Sequence, residues 1–166
     1  MPAAIRAYCL RTSQPAPESV GAVVRCCLES LALKYRWVVD ALETLTGRSL
    51  DTFRIVGGGS QNALPCQLTA DACKRQVVAG PVEAAALGNI LVQIIAMGHL
   101  PELAAGRAAV AVSMKQVIYD PRAADEWDAA IVGFDALGEY HRMDSRDRIT
   151  EWPGYAFHCR ASLFLD

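Results

Sequence analysis

Two stretches restrict this chain more than any others: Arg54-Ile-Val-Gly-Gly-Gly-Ser-Gln-Asn62 and Ala79-Gly-Pro-Val-Glu-Ala-Ala-Ala-Leu-Gly-Asn89. Each reads as a short strand that ends in glycine and hands over to a helix. Glycine lets the backbone turn sharply and approach a ligand with no Cβ in the way. The helix behind it offers unpaired N–H groups and the positive end of its dipole. Two such units in succession predict a βαβ arrangement with parallel strands, a right-handed crossover, and a site suited to a phosphate-bearing ligand.

Composition narrows the partners. The 166 residues are 52% apolar and 20% charged with a net charge of −2, which fits one ordinary domain and leaves no basic footprint for nucleic acid or acidic lipid. The longest uncharged run, Ala84 to Gly98, is too short to span a bilayer, and the first residues carry no long apolar signal segment. A cytoplasmic protein is expected. The cysteines Cys9, Cys26, Cys27, Cys66, Cys73 and Cys159 form no Cys-x-x-Cys pair, so no metal site is expected and most read as buried core thiols. Cys9 meets Cys26 only if the segment ahead of the first long helix folds back along it.

Local signals place the remaining elements. Thr12 to Glu18 is a proline-bearing loop, Ser19 is a candidate N-cap, and a long helix runs from there to Gly47. Its apolar residues Val20, Val23, Val24, Cys27, Leu28, Leu31, Ala32, Tyr35, Val38, Val39, Leu42 and Leu45 predict one broad buried stripe, with Glu29, Lys34 and Arg36 as surface charges. Phe53 to Val56 and Val77 to Ala79 read as strands. Gln61 to Cys73, Ala84 to Met97, Pro101 to Val110 and Arg122 to Leu137 read as helices, the second of them mostly buried. Pro65 is compatible with a helix only if that helix starts near Ala63. Tyr119-Asp-Pro121 reads as a break.

Three nucleotide-binding patterns compete for the glycines. A dinucleotide fold is disfavoured, because the second strand ends without an acidic residue to hold a ribose. A Walker loop is excluded, because no Gly-Lys-Ser/Thr follows the turn. A glycine turn of the sugar-kinase kind accounts for both clusters. Taken with Leu28-Glu-Ser-Leu-Ala-Leu-Lys-Tyr-Arg36, Gln67-Leu-Thr-Ala-Asp-Ala72 and Leu87-Gly-Asn-Ile-Leu-Val-Gln93, these segments resemble the rhamnulokinase branch of the FGGY carbohydrate kinase family, in its C-terminal domain.

That resemblance implies an α/β fold: a partial ribonuclease-H-like (actin-like ATPase) lobe over residues 1–137, with few parallel strands and several covering helices, then a divergent tail over 138–166. It implies ATP and Mg²⁺ as cofactors and phosphorylation of L-rhamnulose at the 1-hydroxyl, a step of L-rhamnose catabolism. By the same carry-over Gly58 would touch ATP, with Gly57, Gly59, Ser60, Gln61 and Asn62 shaping the site and Gly80, Glu83 and Asn89 as secondary candidates. Plainer readings stand beside these: Gln61 and Asn62 as first-turn polar residues, and Glu83 as a cap or dipole partner of the next helix.

Departures from the family pattern matter as well. The loop Lys74-Arg-Gln76 replaces a usual Gly-Arg-Pro, so a lysine is expected in a left-handed turn at a cost of roughly 1 kcal/mol. Ala85 stands where threonine is usual. The family's catalytic-base segment and the strands that open the lobe do not occur within these residues. The isolated chain is therefore expected to be inactive, with a small sheet and exposed apolar area, in keeping with a positive mean hydropathy. L-rhamnulose is expected to bind only alongside the missing lobe; that kinase lobe or a homodimer is the expected partner, the open sheet edge favouring self-association. The alternative is a non-catalytic interaction module, either a truncated remnant or one half of a split kinase.

Overall fold

The computed structural model describes residues 1–122 and 126–144, and side chains as far as Leu137. In chain order they form α1 (Pro2–Arg11), α2 (Val20–Thr46), β1 (Thr52–Ile55), a 3₁₀ turn (Gly57–Gln61), α3 (Ala63–Cys73), β2 (Gln76–Ala79), α4 (Ala84–Ala96), α5 (Leu103–Ser113), β3 (Val117–Tyr119) and α6 (Glu126–Asp144). This is a mixed α/β arrangement.

The βαβ unit forms as expected. β1 and β2 are parallel, with Phe53 opposite Val77 and Ile55 opposite Ala79. A third strand was not anticipated. β3 runs antiparallel to β2, with Val78 opposite Ile118, so the sheet is mixed, in the order β1-β2-β3. Three apolar residues ahead of a proline carry almost no local strand signal, and only pairing with β2 makes a strand of them.

Local capping chemistry sets the helix ends. Ser19 Oγ accepts the Ala22 N–H at 3.1 Å, and Gly47 closes α2 in the left-handed conformation at φ 64°. Asn62 Oδ1 accepts the Leu64 N–H at 3.2 Å, so α3 begins at Ala63 and Pro65 falls in its first turn, where a missing N–H is harmless. The sequence reading began this helix at Gln61, which instead ends the 3₁₀ turn. Lys74 ends α3 at φ 54° and ψ 35°, the strained lysine turn anticipated from its replacement of glycine.

Three buried clusters hold the molecule together. Ala32 and Leu33 of α2, Leu68 and Ala72 of α3, and Trp127, Ala130 and Phe134 of α6 form one. Cys66 and Ala70 of α3 pack on Val77 and Ala79 of β2, with Phe53, Ile55 and Tyr119 at the margin. The third joins Ile5 and Cys9 of α1 to Val23 and Cys26 of α2. The N-terminal segment does fold back on α2, as a helix, with Cys9 and Cys26 buried in the contact between them. Cys66 and Cys73 are buried thiols as well, whereas Cys159 lies outside the described residues, along with all of 145–166.

Several expectations are corrected. The broad stripe of α2 divides: Val23, Ala32 and Val39 are buried, while Val20, Val24, Leu31, Val38, Leu42 and Leu45 are exposed. Glu29 is no surface charge, being 2% exposed and paired with Arg25 at 2.6 Å. Arg36 is largely covered too, bonded through Nη2 to Asp128 at 3.1 Å, whereas Lys34 is exposed and lies over the Trp37 ring. The helix read as mostly buried, α4, has no buried residue. Its apolar content was legible, but whether anything covers it depends on distant chain. The following helix is displaced to Leu103–Ser113, and α6 continues beyond Leu137 to Asp144.

Candidate functional site

The two glycine turns emerge side by side at the carboxyl ends of the parallel strands. The Gly57 N–H donates to Pro81 O at 3.0 Å, and the Gly80 N–H donates to Ile55 O at 2.8 Å. Two segments separated by a whole helix are thereby tied into one rim. The carboxyl ends of parallel strands are where open α/β sheets take ligands, because the loops there diverge and the following helices point their N-termini at the gap.

The glycines are not equivalent. Gly57 has φ 76° and Gly80 φ 111°, conformations that an L side chain rarely adopts. A Cβ on Gly80 would also meet the Lys115 carbonyl oxygen at 3.1 Å, in the segment leading into β3. Gly58 differs, since a Cβ there would meet nothing within 4 Å. Among the described residues nothing requires a glycine at 58, and the space over it is open.

Of the other nominated residues, two have their polar atoms committed to the turn itself. Ser60 is buried and its hydroxyl donates to Gly57 O at 2.7 Å, bracing the 3₁₀ turn from inside. Asn62 caps α3 from the position ahead of its first turn. Gly59 and Gln61 are exposed on the turn. Glu83 occupies the N-cap position of α4 without a side-chain cap bond, exposed beyond Gly80 and Pro81. Asn89 is exposed on α4, six residues further along. At about 100° per residue it faces a different direction from Glu83. The structure thus brings together 57–62, Gly80 and Glu83 and leaves Asn89 apart.

An open polar cavity of about 480 Å³ lies at the opposite, amino end of the strands, lined by Arg36, Asp40, Asp51, Lys74, Arg75 and Gln76. Its cations are engaged by carboxylates. Lys74 Nζ meets Asp128 Oδ2 at 2.7 Å, and Arg75 Nη2 meets Glu43 Oε2 at 2.7 Å. Hydrogen bonds from Lys74 and then Arg36 hold the Asp128 carboxyl below the usual aspartate range. The Leu50 N–H does the most to lower Glu43, with Arg75 adding to it against partial desolvation. Sequence reading missed this cluster because its members come from α2, the α3–β2 turn and α6. It ties helices together, and among the described residues Arg36 Nη1 is its one buried atom without a hydrogen-bond partner. Asp71 was missed as well: its buried carboxylate accepts the Arg122 N–H at 2.7 Å and Gln67 Nε2 at 2.9 Å, fixing the chain as it leaves β3. Among the described residues no cluster of three or more His, Cys, Asp or Glu could hold a metal ion, and no helix is long and apolar enough to cross a membrane.

Comparison with known proteins gives one family. Residues 1–97 match the C-terminal domain of the FGGY family of carbohydrate kinases. A rhamnulokinase of Bacteroides thetaiotaomicron is 44% identical over 134 residues, which is 81% of this chain and 28% of that protein. A rhamnulokinase of Pectobacterium atrosepticum is 44% identical over 136 residues, 82% of this chain and 27% of that protein. A rhamnulokinase of Klebsiella pneumoniae reaches 49% over 100 residues, 60% of this chain and 20% of that protein. The matched part of the chain thus spans between a fifth and little more than a quarter of the length of these relatives.

Proposed function

The chain belongs to the FGGY family of carbohydrate kinases through its C-terminal domain, and from that premise we propose that it is the nucleotide-binding part of a rhamnulokinase-type lobe. The lobe is of the ribonuclease-H-like kind, and its nucleotide is ATP. What supports this reading is the pair of glycine turns hydrogen-bonded into one rim at the carboxyl ends of parallel strands, with the space over Gly58 left open.

Each residue at the rim has a task. Gly58 lets the polyphosphate lie against the backbone, where its own N–H, in the first turn of the 3₁₀ segment, would face it as a donor. Gly57 and Gly80 supply positive φ angles that bring the turns together, Ser60 braces the first from beneath, and Asn62 fixes where α3 starts. Gln61 and Glu83 lie at the edge, where they would meet the more distal parts of the nucleotide, and Asn89 is peripheral. ATP bound at this rim would supply the transferable phosphoryl group, with magnesium bound alongside it.

Phosphorylation of L-rhamnulose at its 1-hydroxyl belongs to the assembled kinase. That transfer needs a base or orienting carboxylate for the attacking hydroxyl. The rim carries a single carboxylate, Glu83, on the nucleotide side. These 166 residues alone therefore bind nucleotide without transferring its phosphoryl group.

A thermal melt with and without millimolar Mg-ATP tests the reading. A ligand that binds only the native state raises Tm by mass action. Mg-ATP is expected to raise it, and Gly58→Val is expected to abolish that rise with little change in the ligand-free Tm, since a Cβ added there meets no atom within 4 Å. An unchanged Tm for the parent chain in Mg-ATP, or a Gly58→Val variant that still responds, would sink the proposal.

A further inference from the structure

The third strand delivers a cation to the glycine rim. β3 runs antiparallel to β2 with Val117 opposite Ala79. Residues 114–116 therefore lie beyond the carboxyl end of β2, on the side where the two turns emerge. The approach there is close: a Cβ on Gly80 would meet the Lys115 carbonyl oxygen at 3.1 Å and Gln116 Cα at 3.9 Å. The Gly80 N–H in turn donates to Ile55 O at 2.8 Å, and the Gly57 N–H to Pro81 O at 3.0 Å. Lys115 is thus held by its backbone against the rim that carries Gly57 and Gly58.

Charge around that rim is uneven. The turns 57–62 and 80–83 contain no lysine or arginine, and their one charged side chain is Glu83. Backbone N–H groups and a helix dipole carry only partial positive charge, far less than a polyphosphate needs for neutralisation. A lysine ammonium offers three donors on a flexible stem and acts on phosphate as a point charge. Lys115 is exposed, and among the described residues it enters no ion pair, unlike Lys74, Arg36 and Arg75. A Walker lysine follows its glycine turn directly in sequence. Here the cation arrives from a strand much later in the chain, so the glycine motif by itself does not announce it.

We infer that Lys115 supplies the cation of this rim and binds the polyphosphate of the nucleotide through its charge, with the backbone at 114–116 fixed in place by its contact with Gly80. The inference rests on the nucleotide reading above and adds to it a residue that favours a phosphate-rich ligand. Lys115 acts in binding alone and takes no part in moving a proton.

The test is titration of the full chain with Mg-ATP by isothermal calorimetry, for the parent and for Lys115→Met, Lys115→Arg and Lys34→Met. Methionine keeps an apolar stem and removes the charge. Kd is expected to rise about fivefold in Lys115→Met, the effect of one exposed charge contact. It should stay near the parent value in Lys115→Arg, and in Lys34→Met, whose ammonium lies 3.7 Å over the Trp37 ring. Because the contact is open to solvent, raising the ionic strength should narrow the gap between parent and Lys115→Met. The ligand-free Tm of Lys115→Met should match that of the parent, since an exposed side chain is lost. Undiminished affinity in Lys115→Met, an equal loss in Lys34→Met, no recovery with arginine, or a gap indifferent to salt would each overturn the inference. The two claims fail separately. If the parent binds Mg-ATP in a Gly58-dependent way and Lys115→Met binds as tightly, only the role of Lys115 falls; a parent that binds no Mg-ATP removes the nucleotide reading and this inference with it.

Discussion

At the residue scale the informative positions are those where side-chain chemistry and backbone geometry disagree. Lys74 is a lysine in a left-handed turn, its ammonium bonded to Asp128. Replacing it with alanine or glycine removes that bond in both cases, so their difference isolates the backbone term. Lys74→Gly is expected to be about 1 kcal/mol more stable than Lys74→Ala in urea titration. Cys73 is a second such position, a thiol raised by burial from 9.0 to about 11. Its neutral form is the one the fold stabilises, so the contribution is complete below pH 9 and is lost as pH rises from 9 toward 11. That loss is on the order of 2 kcal/mol, and Cys73→Ala should flatten it in Tm measurements across this range.

At the scale of elements, how well each was foreseen depends on how local its cause is. α2 and α3 were readable because Ser19, Gly47 and Asn62 act within a turn of themselves. α1 has little apolar pattern beyond Ile5 and Cys9, and β3 exists through its pairing with β2, so neither announces itself. α6 was recognised by its periodic Trp127 and Phe134, and these residues seal the contact between α2 and α3. Trp127 is 2% exposed, and Trp127→Ala is expected to cost about 3–5 kcal/mol by removing the largest side chain of that cluster. Chemical denaturation should show the loss. A value near zero would mean that α6 is not part of the cooperative unit.

On the scale of the whole molecule, charged contacts join parts that the apolar clusters hold less completely. Asp128 links α6 to Lys74 and Arg36, and Glu43 links α2 to Arg75 and the Leu50 amide. Both carboxyls are held below their ordinary values of 3.8 and 4.5. A depressed carboxyl contributes stability above its unfolded pKa and loses it as pH falls through the folded one. Tm is therefore expected to hold above about pH 5 and to drop progressively below about pH 4. Neutralising both sites in Asp128→Asn with Glu43→Gln should flatten that acid limb, as scanning calorimetry would detect. A limb unchanged in the double variant would assign it to other carboxylates.

The sequence by itself determined much of the local grammar: that the segments from Ser19 as far as α4 alternate helix and strand, that Ser19 and Gly47 bound the long helix, that two strands end in glycine, and that a lysine would sit in a glycine's turn. Those outcomes follow from interactions spanning a few residues, which are printed in the chain. It also carried the family, because the glycine turns and the blocks around them are specific in order as well as composition. Only the tertiary structure decided that the two turns bond to each other, that Ser60 and Asn62 work within the rim and Asn89 stands apart, and that Glu29 is buried. It likewise divided the apolar stripe of α2 into a covered side and a bare one, and left α4 without a buried residue. Periodicity reports that a face is apolar. What lies against that face depends on segments far away in the chain, and the position of those segments is a property of the assembled fold alone.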